Sequence, residues 1–170
     1  MTTSQYILNL GLLAVILGGN LGTRTMTVRR LALPLILVAI AAVVYLRDIP
    51  TAGNDTYLEI AGAAAGAAFG VAAAMLVRVR RDGHRVLATA GAAFAALWIA
   101  VIGGRMLFAY GATHWFSRAI GTFSVQHRIL GTGAWTAAFV LMALAMVAVR
   151  VSIAAAQRTR ALRAADIVMP

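Results

Sequence analysis

The chain has 170 residues, of which 62% are hydrophobic and only 12% charged, and its mean hydropathy is +0.86. Soluble domains are nearer half apolar and a quarter charged, so the composition excludes an ordinary soluble enzyme, a disordered tail and a secreted disulfide scaffold, and it indicates a polytopic membrane protein. The formal net charge is +10 and every one of the 15 basic residues is Arg. These arginines collect at the ends of apolar runs, as the positive-inside rule produces, and do not alternate with aromatics on a soluble module, which argues against nucleic acid as a partner. With no cysteine, a thiol relay, an iron–sulfur centre or a Cys-ligated metal cannot be built from this chain alone.

The first apolar run covers about residues 6–22. No basic residue precedes it and Arg24 follows it, so it reads as a retained helix with its N-terminus outside, and not as a secretory signal. It carries Asn9 and Asn20, whose amides would seek interhelical hydrogen bonds in lipid, gluing the helix to the bundle or lining a polar path. The second run, about 31–46, has Pro34 near its start, where a missing N–H costs little. Both runs fall short of the roughly 20 residues that cross a hydrocarbon core of about 30 Å, so they are expected to borrow flanking residues such as Arg47, whose stem can snorkel. Residues 47–56, with Pro50, Gly53 and Asn54, read as a turn-rich loop.

The third run, about 57–77, opens with Glu59 and carries Gly62, Gly66 and Gly70 at four-residue spacing among alanines. Three flat spots on one helix face predict close helix–helix packing, within the chain or at a homo-oligomer interface. A basic loop with Arg78, Arg80, Arg81, His84 and Arg85 follows, and then a fourth run over about 86–110, with Arg105 near its end. Residues 111–127 hold Trp115, Phe116, Ile120 and Phe123 among polar residues; they read as a short amphipathic helix at the membrane interface or as a plain connection. The fifth run covers about 129–149, and the tail 150–170, rich in Ala, Gln and Arg, is expected to continue it as a cytoplasmic helix. The runs are continuous and do not alternate with period two, as barrel strands would.

The expected architecture is therefore all-α: a single domain over residues 1–170, built as a bundle of five transmembrane helices. Eleven arginines (24, 29, 30, 78, 80, 81, 85, 150, 158, 160 and 163) fall on one side of it. Only Arg47, Arg105, Arg118 and Arg128 fall on the other. That asymmetry sets the N-terminus outside and the C-terminus in the cytoplasm of a bacterial inner-membrane protein.

Glu59 and Arg105 lie near the same end of two neighbouring antiparallel helices, and a charge within the membrane usually has a partner, so the two are expected to pair. His114 and His127 flank the amphipathic segment and are the candidates for haem ligation, although paired haem ligands usually project from facing bundle helices. No cofactor is otherwise expected. Neither HExxH nor ExxH spacing, nor a Walker or GxSxG motif, is present, and a single glutamate and four aspartates offer few general acids or bases. No catalytic residue and no metal site are assigned.

The element order also resembles that of the CcdC-like family of small bacterial membrane proteins. The similarity runs over about residues 24–150. It rests on Arg29-Arg30 leading into an aliphatic run with Pro34, on Tyr57-Leu58-Glu59 opening a small-residue helix, and on the basic stretch 78–85 before a helix that carries Arg105 close to its end. The resemblance implies an association with cytochrome c biogenesis without implying a catalytic activity. The leading expectation is a non-enzymatic accessory or assembly protein acting through helix packing in the lipid bilayer, as a homo-oligomer or within a larger membrane complex. The alternatives are a small transporter or channel with a path lined by Asn9, Asn20, Glu59 and Arg105, and a membrane haem protein.

Overall fold

Glycine costs a helix about 1 kcal/mol relative to alanine, so a helix that holds three in register must recover that elsewhere, and it does so in the closest contact of this fold. The computed structural model describes residues 11, 13–14, 18–19, 21–45, 54–82, 85–129 and 133–166, with the backbone alone for 28–31, 37, 41, 44–45 and 164–166. The described elements are β1 (Gly22–Thr25), α1 (Val28–Tyr45), α2 (Asp55–Met75), β2 (Val77–Asp82), β3 (Arg85–Ala90), α3 (Ala92–His114), α4 (Ser117–Gln126) and α5 (Ala134–Asp166).

Gly62, Gly66 and Gly70 of α2 lie directly on the α5 backbone at Ala138, Met142 and Met146. Each step of four residues on one helix is matched by a step of four on the other in the same direction, so α2 and α5 run parallel. A Cβ at any of the three glycines would fall inside the facing carbonyl, and this is why only glycine serves there. The spacing seen in the sequence thus closes a seam within one chain.

The third long helix, α3, packs through bulk instead. Its Phe94, Trp98 and Ile102, at four-residue spacing, are buried and form a core with Ala73, Ala90 and Met146. Large side chains hold its axis away from the α2–α5 pair, whereas the glycines let those two backbones touch. α1 lies along α5 on another side and exposes Leu33, Ile36, Ile40 and Val43.

At one end of the bundle the chain forms a three-stranded antiparallel sheet in the order β1-β3-β2. Val77, Val79, Val86, Ala88 and Ala90 share one face through the register, with Val86 and Ala90 buried. The opposite face carries Arg78, Arg80, Thr89 and Thr23, whose two threonine hydroxyls lie 3.0 Å apart. The Val-Arg-Val-Arg alternation over 77–80 is what a half-buried strand needs, and the arginines keep its edge from pairing further.

Three expectations are corrected. The fold is mainly helical but not all-α, since residues 22–25, 77–82 and 85–90 supply the sheet. The basic loop is a β-hairpin, and residues 86–90 of the fourth run are strand. Three described helices, not five, are long and apolar enough to cross a membrane: α2, α3 and the part of α5 up to Arg163. In α1 the apolar stretch behind Arg29-Arg30 is residues 31–45, or about 22 Å at 1.5 Å per residue, short of a hydrocarbon core of about 30 Å. Ten of the 17 residues of the first run, Asn9 and Asn20 among them, lie outside the described residues.

Candidate functional site

The face of α2 that meets α5 does not stop at the glycines. Its buried residues are Asp55, Glu59, Gly66, Gly70, Ala73 and Ala74, so two carboxylates one turn apart continue the stripe at the end away from the sheet. Asp55 is 0% exposed and Glu59 5%. Asp55 stands in the first turn of α2, where the helix dipole favours a negative charge. Glu59 Oε1 is buried without a hydrogen-bond partner. Asp55 carries no weight in a reading from composition, where it is one more acid in a polar loop. The signal for it was positional: Glu59 is three residues before Gly62, and Asp55 four before Glu59, so all share one face.

Arg105 stands near the same end, on α3, with its guanidinium carbon 5.9 Å from the centroid of the Phe139 ring on α5. The offset of the α2–α5 seam brings Glu59 level with Trp135, one turn from Phe139, so Glu59 and Arg105 abut α5 at depths about 6 Å apart. The structure therefore brings both charges to one end of the bundle and against one helix.

Aromatic rings close that end. Phe108 of α3 lies 5.3 Å from Trp135, 5.1 Å from Phe139 and 5.9 Å from Phe116, centroid to centroid. Trp135 Nε1 donates to Ser124 Oγ at 3.3 Å, which ties α5 to α4. Gly111 is the seat of the Phe116 ring, which any Cβ there would strike. The segment 111–127 thus contains a helix, α4, docked by its aromatics. The start of α2 is joined to the same region by the Asn54 N–H, which donates to the Arg128 carbonyl at 3.1 Å.

His114 and His127 are both exposed and belong to different helix ends. His114 stacks on Tyr110 at 4.1 Å with Nδ1 3.1 Å from the Tyr110 carbonyl, and His127 stacks on Phe123 at 4.0 Å with Nδ1 2.9 Å from the Phe123 carbonyl. A carbonyl only accepts, so His127 Nδ1–H donates within its own turn and leaves Nε2 for any ligand, whereas His114 Nδ1 also lies 2.8 Å from the Thr113 hydroxyl, which can donate to it. Among the described residues no group of three His, Cys, Asp or Glu side chains could hold a metal ion.

The sheet end has the opposite charge. Arg24, Arg78, Arg80, Arg81 and Arg85 are exposed on its strands. Arg150 of α5 lies 4.8 Å over the Phe94 ring, and about two turns beyond it Arg158 Nε donates to the Met26 carbonyl at 2.9 Å. Comparison of the chain with protein-family models, with curated proteins and with solved structures finds no match.

Proposed function

We propose that this chain is a non-enzymatic integral membrane accessory or assembly protein that works through helix packing, embedded in a bacterial inner membrane with its sheet in the cytoplasm. The observation that carries this reading is the face left open on α3. Gly103 and Gly104 have nothing among the described residues within 4 Å of where a Cβ would stand, in contrast to the filled seats at Gly62, Gly66 and Gly70. Ile99 and Leu107, one turn to either side of Gly103, are more than half exposed. A small-residue spot flanked by apolar ridges is the kind of surface on which a second transmembrane helix packs. The sheet's arginines support the cytoplasmic placement by the positive-inside rule. The CcdC-like resemblance would put such an assembly beside cytochrome c biogenesis, with any thiol chemistry left to a partner.

The test uses the absence of native cysteine. Gly103→Cys in native membranes is expected to form a disulfide-linked pair of copies on mild oxidation, while Val71→Cys, on the exposed side of α2, is not. No cross-link at 103, or equal cross-linking at 71, rejects α3 as the assembly face.

A second reading, a small transporter or channel, is favoured by one observation: the buried carboxylates Asp55 and Glu59 at the end of the bundle that also holds Arg105. Ionisable groups within spans commonly mark ion or proton paths. Cation or proton flux in liposomes that is lost in Glu59→Gln would support it over the assembly reading.

A further inference from the structure

A cleft of about 410 Å³ opens where β1 leaves the sheet and the far end of α5 passes over it. Thr25, Thr27, Arg85 and Arg158 supply its polar wall, and Met26, Val86 and Leu162 its apolar part. No acid is among these lining residues. We propose that this cleft binds a phosphate ester, and that its natural occupant is the headgroup of an anionic phospholipid.

The donors fit a phosphate. A guanidinium has five N–H donors in a planar fork that matches the oxygens of a phosphate two at a time. Arg158 spends its Nε–H on the Met26 carbonyl at 2.9 Å, and that bond fixes the plane of the fork while its terminal nitrogens keep their donors. Arg85 brings a second fork from β3, and the two threonine hydroxyls add weaker donors. The cleft is far larger than a bare phosphate needs and falls in the range of small-molecule sites, about 300–1,000 Å³. Its apolar side suits a glycerol backbone and the start of an acyl chain.

Depth identifies the source. β2 begins two residues after α2 ends, and α3 begins two residues after β3 ends, so the sheet sits at the ends of the spans. Arg158 is about 36 Å along α5 from Ala134 at 1.5 Å per residue, some 6 Å beyond a hydrocarbon core of about 30 Å. That is the headgroup layer. Asp82, opposite Arg85 in the hairpin register, is the acid placed to compete for Arg85.

The experiment uses the full chain purified in a neutral detergent, with binding read by titration calorimetry and by the shift in melting temperature. The probes are phosphatidylglycerol, phosphatidylcholine, glycerol 3-phosphate and inorganic phosphate. Phosphatidylglycerol is expected to bind saturably and at least about tenfold more tightly than phosphatidylcholine, the scale of one charge-assisted hydrogen bond. Arg158→Gln and Arg85→Gln are each expected to weaken it by about tenfold, and Asp82→Asn to strengthen it. Arg163→Gln, exposed on the same helix but outside the cleft, should leave it unchanged. Because Arg158→Gln also removes the bond to Met26 and could loosen the fold, the exposed Arg85 is the deciding variant. Competition by glycerol 3-phosphate at the lipid's own affinity would assign the site to a soluble phosphate ester; its failure to compete assigns the site to lipid. Equal binding of the two lipids, or Arg85→Gln binding as well as the native chain, overturns the proposal. None of these readouts depends on whether α3 assembles.

Discussion

A carboxylate buried in a span is tolerated only if its charge is shared or functional, and Glu59 is 5% exposed with Oε1 lacking a hydrogen-bond partner. The guanidinium of Arg105, set over Phe139 at 5.9 Å at the same end of the bundle, is the proposed counter-charge. If so, Glu59→Gln and Arg105→Gln should each destabilise the protein, by up to about 3–5 kcal/mol if water is excluded and far less if it is not. The double change should cost less than the two singles together, because neither charge is then stranded. Strict additivity of detergent melting free energies in this cycle would show that the two residues do not interact.

Among elements, α2 and α5 are held by geometry that admits no side chain. Gly66→Ala is a mild change on a lipid-facing helix, where it should even help through helix propensity. Here the added methyl meets the Met142 backbone, which cannot rotate aside as a side chain would. The variant is expected to lose about 1–3 kcal/mol by overpacking, and Gly66→Leu more. Ala64→Leu and Ala68→Leu, on exposed positions of the same helix, should melt as the native chain does. The distinguishing measurement is the melting temperature of monomeric protein, since the seam is intramolecular and its loss unfolds the bundle without requiring any change in oligomeric state. Equal melting of Gly66→Ala and the native chain would mean that the two backbones are further apart than described.

For the molecule as a whole, the parallel course of α2 and α5, with α3 running the opposite way in the chain between them, fixes which segments share a side. Residues 54 and 118 fall at one end, and residues 82 and 166 at the other. With the sheet end in the cytoplasm, as proposed from the arginine asymmetry, reporter fusions after residues 83 and 166 are expected to give cytoplasmic signals and a fusion after residue 118 a periplasmic one. Opposite signals at 83 and 166 would contradict the parallel seam, while a shared periplasmic signal would reverse only the orientation.

Composition and hydropathy were sufficient for a mainly helical chain suited to lipid, because apolar runs of this length have few other stable environments. The four-residue spacing of Gly62, Gly66 and Gly70 was sufficient for a close helix contact, since only a helix brings those positions to one face. It could not name Ala138, Met142 and Met146 as the other side, because partner and direction depend on contacts 76 residues away in sequence. The same pattern held an unused clue in Asp55 and Glu59, which share the glycine face. The hairpin was also legible in part: Val77-Arg78-Val79-Arg80 alternates with period two, but an excess of arginine reads equally well as a solvated loop. β1 was not legible at all. Four residues, Gly22 to Thr25, have no strand signature of their own, and they become a strand because β3 offers them a free edge. The depth of Glu59 and Asp55 and the meeting of Arg85 with Arg158 likewise come from tertiary structure alone, since each depends on which helices are neighbours and in which direction they run.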